Sequence, residues 1–197
     1  MIKKTAFVLG VLWGIQVLAR SSVDPEKLRT YGSSDSVMIY VFSSPSCPHC
    51  ATYHAEILPA LKEQLADKGL AQIKLVDTPG DKRSLAVSTV ARCLDESDYH
   101  VFMEHFYDNQ DKWAYGADGK EYLKKYLDQG NLSTQDWKAC FNNDHLEKLI
   151  QKQRNQMIRQ YRVTALPTTV VVKGLKNKAF VGSDPKIIPE IEKVVRP

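Results

Sequence analysis

The sequence lacks a charge excess of either sign and any strong bias in composition. Its 27 lysines and arginines nearly balance its 23 aspartates and glutamates, and the basic residues are scattered among acidic ones, so no nucleic-acid partner is expected. With 43% hydrophobic and 25% charged residues, the composition excludes the disordered and collagen-like classes. The 197 residues are therefore expected to form one substantial globular domain, or one domain with an insertion.

The chain also lacks an apolar run long enough for an ordinary membrane span. Its first 19 residues instead have the pattern of a secretory signal peptide, with Lys3 and Lys4 before an apolar stretch that ends at Ala19. A spanning helix usually needs about 20 apolar residues, and Arg20 ends this stretch early, so a cleaved signal is favoured over a retained membrane anchor, which stays the alternative. Export to a periplasm-like compartment would allow the cysteines to be oxidised.

Cysteine is scarce, but two of the four cysteines form a C-x-x-C motif at Cys47 and Cys50. The motif lies between an apolar run, residues 37–42, and a helical pattern that begins at Ala51. If these segments are a strand and a helix, Cys47 lies at the helix N-terminus, where free backbone N–H groups and the helix dipole favour a thiolate. Cys50, one turn deeper, can close on Cys47 as a disulfide or attack a mixed disulfide, which predicts redox chemistry.

The residues around the two cysteines are expected to tune this chemistry. Pro48 has no N–H group, which costs nothing at the first helical position. His49, when protonated, lowers the pKa of Cys47 and stabilises the reduced form, which makes the disulfide more oxidising. His54, one turn beyond Cys50, is expected to be a surface residue of the helix and not a catalytic base.

A zinc site is another use of a C-x-x-C motif, but it requires a second Cys/His pair. Cys93 and Cys140 stand singly, with no cysteine or histidine two to four residues away. His100, Glu104 and His105 resemble a metal cluster only superficially, because two histidines five residues apart point in different directions on a helix. Neither a metal nor a cofactor is expected.

The first part of the chain predicts a βαβ unit. Strand-like runs at residues 37–43 and 73–76 are separated by a helical pattern with an apolar residue at every fourth position, and such a unit pairs its strands in parallel. Pro59 is expected to kink the helix and Gly69 to end it. Residues 21–36 are polar and are expected to be a leader into the fold with room for one short helix.

The middle of the chain differs from its two ends. Helical patterns, without a strand pattern, occupy residues 85–93, 99–107, 121–127, 134–141 and 146–160, and their aromatic side chains are expected to form a small core. Strand patterns return at residues 166–172 and 178–181, before a final amphipathic helix. The sequence therefore predicts one α/β fold interrupted by helices: signal peptide 1–19, first half 20–78, helical insertion 79–160 and second half 161–197.

These motifs together resemble the DsbA-type thiol-disulfide oxidoreductases of the thioredoxin superfamily. The resemblance runs from about residue 32 to the C-terminus and rests on residues 42–50, 91–93, 137–140 and 163–169. It implies a thioredoxin fold with an inserted all-helical domain. It also implies that Cys47 is the attacking cysteine and Cys50 the resolving one.

The same resemblance implies roles for residues outside the motif. Pro167 would be the cis-proline that faces the two active-site cysteines. A proline directly before a strand cannot donate to the sheet, so the backbone groups of Leu166 stay available for an extended client peptide. Cys93 and Cys140 are similar in context to the cysteines that form a second, structural disulfide in some members.

Two positions depart from the family pattern. Many members have a buried acid six residues before the first active-site cysteine, where this chain has Val41, so proton transfer to or from Cys50 would rely on water or another group. Leu166 replaces the usual valine or threonine and is expected to narrow or redirect the choice of clients. The short N-terminal region has no room for the dimerisation domain of related isomerases, so a monomer is expected.

The sequence thus predicts a periplasmic thiol-disulfide oxidoreductase that introduces disulfides into exported proteins. Its expected partners are exported cysteine-containing clients and, by the family resemblance, a DsbB-like quinone-coupled membrane oxidase. Two alternatives stay open. One is a reductase or isomerase with the same site, and the other is an exported binding or chaperone module with a vestigial C-x-x-C.

Overall fold

The computed structural model describes residues 23–34, 37–130 and 137–196. The predicted signal peptide, residues 1–19, lies outside these ranges. The backbone of Trp137 is described, but its side chain, which the sequence assigns to the core of the insertion, is not. Within the described ranges, no helix is both long and apolar enough to cross a membrane.

A five-stranded mixed sheet with the order β1-β3-β2-β4-β5 forms the centre of the molecule. Its strands are β1 (Thr30–Tyr31), β2 (Val37–Ser43), β3 (Gln72–Asp77), β4 (Thr168–Lys173) and β5 (Lys176–Val181). The central strand β2 is parallel to β3, with Ile39 opposite Ile73, and antiparallel to β4, with Ile39 opposite Val171. The predicted parallel pair is confirmed. Strands from before and after the helical region lie in the same sheet.

Strand β1 was not expected from the sequence. The described part of the polar leader contains this two-residue strand, antiparallel to β3, where the sequence suggested a short helix. Two residues are too few to show the alternation of a strand. The strand is fixed by its tertiary contacts, because Tyr31 is buried in the main core.

A continuous helix follows β2 over residues 48–66. It consists of α1 (Pro48–Thr52), a π-helical segment (Tyr53–Ile57), α2 (Leu58–Leu61) and a second π-helical segment (Lys62–Ala66). The expected disturbance at Pro59 takes the form of π-type bonding, in which the Leu58 N–H donates to the Tyr53 carbonyl five residues earlier. After the helix, Gly69 adopts a positive φ of 68° in the closing turn, as the sequence predicts.

Between residues 79 and 160, the described part of the chain contains helices and no strand. These helices are α3 (Lys82–Ala91), α4 (Glu96–Asp108), α5 (Gln110–Trp113), α6 (Gly119–Asp128), α7 (Trp137–Cys140) and α8 (Asp144–Tyr161). Aromatic side chains pack together as predicted, with the Phe106 ring centre 5.5 Å from Trp113 and 5.4 Å from Tyr126. These aromatic side chains are not a separate core, because they belong to the same cluster as Ile39 and Val41 of the sheet.

Helices cover both faces of the sheet. Ile39 and Val41 share the main core with the helix at residues 48–66 and with α9 (Ile187–Val195). On the other face, Phe42 packs in a cluster that includes Tyr161 of α8. Because β2 is largely buried on both sides, residues 37–42 of the strand are continuously apolar.

Candidate redox site

The C-x-x-C motif lies where β2 passes through a short loop into the helix at residues 48–66. Cys47 is the N-cap residue, with extended backbone angles, and its carbonyl accepts the N–H groups of Cys50 at 3.0 Å and Ala51 at 3.1 Å. Pro48 occupies the first turn without losing a helical hydrogen bond. Cys47 is partly exposed and Cys50 is fully buried, so the two thiols differ in their access to other proteins.

The two thiols are also electrostatically different. A hydrogen bond from the Cys50 thiol, followed by bonds from the backbone N–H groups of Cys50 and His49, lowers the pKa of Cys47 to about 6 against the opposing effect of burial. The same hydrogen bond, together with burial, raises the pKa of Cys50 far above the ordinary range. A charged His49 adds only the smallest of these effects on Cys47, and its ring is exposed. The site therefore pairs a thiol that ionises readily, Cys47, with a buried thiol that stays protonated, Cys50.

Side chains from the helical region hold the loop that carries Cys47. The Gln110 amide, itself buried, donates to the Pro45 carbonyl at 2.7 Å and to the Cys47 carbonyl at 3.1 Å. The Tyr115 hydroxyl donates to the carbonyl of Ser46 at 2.7 Å. The sequence analysis missed both residues, because no motif connects them to a cysteine more than sixty positions away.

The loop before β4 faces the cysteines from the other side. The peptide bond between Leu166 and Pro167 is cis, and the Cys47 sulfur lies 3.9 Å from the Leu166 carbonyl oxygen. Thr168 fixes this loop through a 2.7 Å bond from its hydroxyl to the Ala165 carbonyl. Residues 119 positions apart are thus brought together at the site.

Position 41, where the family resemblance implies an acid, is apolar in this chain. Val41 is fully buried in β2, opposite Leu75 of β3 and Thr169 of β4. A buried hydroxyl pair lies near it, with the Tyr53 and Thr169 oxygens 2.6 Å apart. This pair therefore supplies two neutral hydroxyls and no acid.

His54 does not have the surface position that the sequence suggested. Its ring is half-buried and packs against Tyr107 of α4, with ring centres 4.6 Å apart, and its Nε2 lies 3.1 Å from the Ser43 hydroxyl oxygen. Burial lowers the pKa of His54 to about 3. The side chain is only partly exposed because Tyr107 of α4 packs against its ring, a tertiary contact that the helical periodicity alone cannot show.

The other two cysteines lie elsewhere in the fold. Cys93, just after α3, and Cys140, at the end of α7, are joined as a disulfide with Cα atoms 6.3 Å apart. Both are buried, and they pack in a small cluster with Leu85, Leu146 and Ile150.

The histidines considered as metal ligands are separated. His105 pairs with the Tyr122 hydroxyl at 3.0 Å, and His100 lies 3.9 Å from Glu96. Among the described residues, no group of three or more His, Cys, Asp or Glu side chains could hold a metal ion.

Comparison with known proteins places this chain in a family. A family model described as Thioredoxin matches residues 25–179. A Rickettsia typhi protein, provisionally named a protein-disulfide oxidoreductase, is 27% identical over 179 residues, which cover 90% of this chain and 63% of that protein. The chain thus spans less than two thirds of this relative's length.

Several solved structures, among them a DsbA protein, have the same fold. The crystal structure of alpha-DsbA1 from Wolbachia pipientis aligns with a TM-score of 0.71 and 20% identity, over 85% of this chain and 90% of that one. Oxidised BdbD from Bacillus subtilis aligns with a TM-score of 0.68 and 18% identity, over 89% and 97% of the two chains. The chain therefore has a thioredoxin fold with a helical insertion, as the sequence predicts.

Proposed function

The chain belongs to the thioredoxin family whose model matches residues 25–179, and from this we propose that it is a DsbA-like oxidoreductase that introduces disulfides into exported proteins. Cys47 is the proposed attacking cysteine and Cys50 the resolving one. The observation that carries the proposal is the asymmetry of the pair, a partly exposed Cys47 with a pKa of about 6 beside a buried Cys50. A thiolate stabilised in this way is a good leaving group, so the oxidised pair readily passes its disulfide to clients.

The proposed cycle transfers two electrons from the client to the protein. A client thiolate attacks Cys47 in the oxidised pair, an S–S bond forms between client and Cys47, and the bond to Cys50 breaks with its electron pair on Cys50. A second client thiolate then attacks the client sulfur of this mixed disulfide, and Cys47 leaves as a thiolate. The client gains a disulfide, and the Cys50 thiolate takes up a proton, because burial disfavours its charged form.

Clients are proposed to bind at the loop that carries Leu166 and Pro167. The Leu166 carbonyl faces the Cys47 sulfur, so an extended peptide paired with this loop would pass directly over the attacking thiol. Leu166 is half-buried, and its apolar side chain would contact the client residue beside the reacting cysteine.

An oxidising, periplasmic location and a DsbB-like quinone-coupled partner complete the proposal. The Cys93–Cys140 disulfide supports such a compartment, because structural disulfides persist where the surroundings are oxidising. The cleaved signal peptide, the monomeric state and reoxidation by a membrane partner stay predictions.

The redox potential of the Cys47–Cys50 couple tests the proposed direction. The protein is equilibrated with glutathione buffers, and the oxidised fraction is measured by mass after alkylation of free thiols. An oxidase is expected near about −120 mV, as for DsbA, whereas a value near about −270 mV, as for thioredoxin, would contradict it and favour a reductase. A Cys47→Ser protein that kept full activity would instead indicate a binding module with an unused C-x-x-C.

A further inference from the structure

Ser46, the residue before the attacking cysteine, is bound by two exposed residues of the helical region, Tyr115 and Asp81. The Tyr115 hydroxyl donates to the Ser46 carbonyl at 2.7 Å, and the Ser46 hydroxyl donates to the Asp81 carboxylate at 2.9 Å. Neither Tyr115 nor Asp81 has a chemical step in the proposed exchange cycle. Both are nevertheless hydrogen-bonded to the residue next to the sulfur that a client must reach.

The ring of Tyr115 is accessible to solvent but held in place. Tyr115 is 62% exposed, and its hydroxyl is fixed by the bond to Ser46. The backbone on both sides of it is also fixed, because the Arg83 guanidinium donates to the carbonyls of Ala114 at 2.8 Å and Ala117 at 3.4 Å. An aromatic ring that is ordered before binding offers its face to a ligand at little cost in entropy.

The carboxylate of Asp81 is charged and has room for a cation. Asp81 is the N-cap of α3, where its Oδ1 accepts the backbone N–H groups of Arg83 at 2.8 Å and Ser84 at 2.9 Å. Burial raises the pKa of Asp81, but these bonds and the one from Ser46 outweigh burial, so the pKa lies below its usual value. Within the described residues, Oδ2 accepts only the Ser46 hydroxyl, and neither Lys82 nor Arg83 forms an ion pair with Asp81.

Arg83 also connects the ring to the carboxylate. It follows Asp81 by two positions in α3, and its guanidinium binds the carbonyl of Ala114, the residue before Tyr115. Asp81 and Tyr115 are thus joined twice, through Arg83 and through Ser46. A neighbouring aromatic face and carboxylate are two groups that attract the same ligand, a cation.

We propose that Tyr115 and Asp81 form a binding site for a basic side chain, lysine or arginine, of the client protein near its reacting cysteine. The cation lies on the Tyr115 ring and pairs with the free side of the Asp81 carboxylate. The site adds no covalent step to the cycle and selects which cysteine-containing segments reach Cys47. It deepens the proposed function and rests on it.

The proposed site and the client-binding loop contact the same short segment. The Leu166 carbonyl lies 3.9 Å from the Cys47 sulfur, and Tyr115 and Asp81 bind Ser46, one residue before it. Successive residues of an extended peptide are about 3.3 Å apart. A client peptide that pairs with the Leu166 loop therefore brings the residues next to its own cysteine to the ring and the carboxylate.

Disulfide transfer to synthetic peptides tests this selection. Oxidised protein is mixed with reduced peptides that contain two cysteines and differ at one position, which is lysine, glutamine or glutamate. That position is moved from two residues before the first cysteine to two residues after it. The mass of the alkylated peptide gives the rate constant of transfer, and the ratio of the lysine to the glutamine rate constant cancels effects that are common to all peptides.

Three variants separate binding of the cation from support of the loop. Asp81→Asn removes the charge and keeps a good N-cap, and Tyr115→Leu removes the ring and keeps an apolar side chain. Asp95→Asn is the matched control, because Asp95 is the N-cap of α4 and loses the same charge. Helix α4 has 13 residues, so Asp95 lies about 20 Å along the helix from the end that leads to Gln110 and Tyr115.

We expect the wild type at low salt to oxidise the lysine peptide about fivefold faster than the glutamine peptide in at least one position, and the glutamate peptide to be slowest. Asp81→Asn and Tyr115→Leu should each lower this ratio to about twofold, and Asp95→Asn should keep it. Because the site is exposed, about 0.5 M salt should also lower the wild-type ratio.

Equal wild-type rate constants for the lysine and glutamine peptides at every position would overturn the basic-residue site alone. The same conclusion would follow if Asp81→Asn and Tyr115→Leu kept the wild-type ratio, even with both peptides slowed, because the two side chains would then only support the loop. A wild-type protein that transfers its disulfide to none of the peptides would instead overturn the proposed function, and this site with it.

Discussion

The two cysteine pairs of this protein differ in their exposure to solvent and in their covalent state. Cys47 and Cys50 are free thiols within one helical turn, and Cys47 is partly exposed at the open helix N-terminus. Cys93 and Cys140 are 47 positions apart, joined as a disulfide, and 7% and 2% exposed among aliphatic side chains. A thiolate from another protein can reach the first pair but not the second.

This difference separates a reactive disulfide from a structural one. The first pair closes a very small loop, so its oxidation restricts the unfolded chain little, and its chemistry depends on how the fold stabilises the thiolate. The second pair closes a long loop, and its effect is mainly on stability. The predictions below test this division of roles.

Replacing Cys47 should have the largest effect on exchange. Cys47→Ser removes the nucleophile, and disulfide transfer to a reduced client should fall by roughly 10⁴-fold or more, as is typical when a covalent nucleophile is lost. Client oxidation followed by thiol titration measures this change. The double variant Cys93→Ala/Cys140→Ala should keep exchange near the wild-type rate, and the roles assigned here would be reversed if only that variant were inactive.

The same double variant should have the largest effect on stability. The chain-entropy model gives roughly 4 kcal/mol for closing a loop of this length, so the free energy of unfolding should fall by about that amount. Denaturant unfolding should be compared in a background with Cys47→Ser and Cys50→Ser, so that the active-site pair does not change redox state. An unchanged midpoint would show that the disulfide has no stabilising role.

Removing the support of the active-site loop should have an intermediate effect. Gln110→Ala leaves the buried Pro45 carbonyl without its amide donor, which should lower the free energy of unfolding by roughly 1–3 kcal/mol and slow exchange by loosening the loop. Gln156→Ala, at an exposed position of α8, is the control and should stay within about 0.5 kcal/mol of the wild type. Equal effects of the two changes would argue against a specific role for Gln110.

The smallest effect is expected from His49. Thiolate absorbance of the reduced wild type should titrate with a pKa of about 6, and His49→Ala should raise this pKa only slightly, because the charge of His49 is the weakest of the effects that lower it. The lowered pKa of Cys47 stabilises the reduced fold fully above the ordinary thiol pKa of 9.0, and this contribution is lost as the pH falls through about 6. A reduced protein whose stability did not fall in that range, or a large shift in the variant, would contradict this account.

Much of the site could be predicted from short-range patterns. The strand, the C-x-x-C and the helical period after it lie within about thirty residues, and the helix N-terminus that they form follows from local bonding. The contacts of Gln110 and Tyr115 with the loop could not be predicted, because they depend on how the helical region packs against the sheet. His54 was misplaced for the same reason.

The sequence alone determined the two cysteines, their helical spacing and the apolar strand before them, since each is a pattern of neighbouring residues. Only the tertiary structure decided which carbonyl faces Cys47, which side chains hold its loop, and that His54 reaches Ser43. Those features join elements distant in the chain, and their free energy comes from packing and burial that no local pattern records.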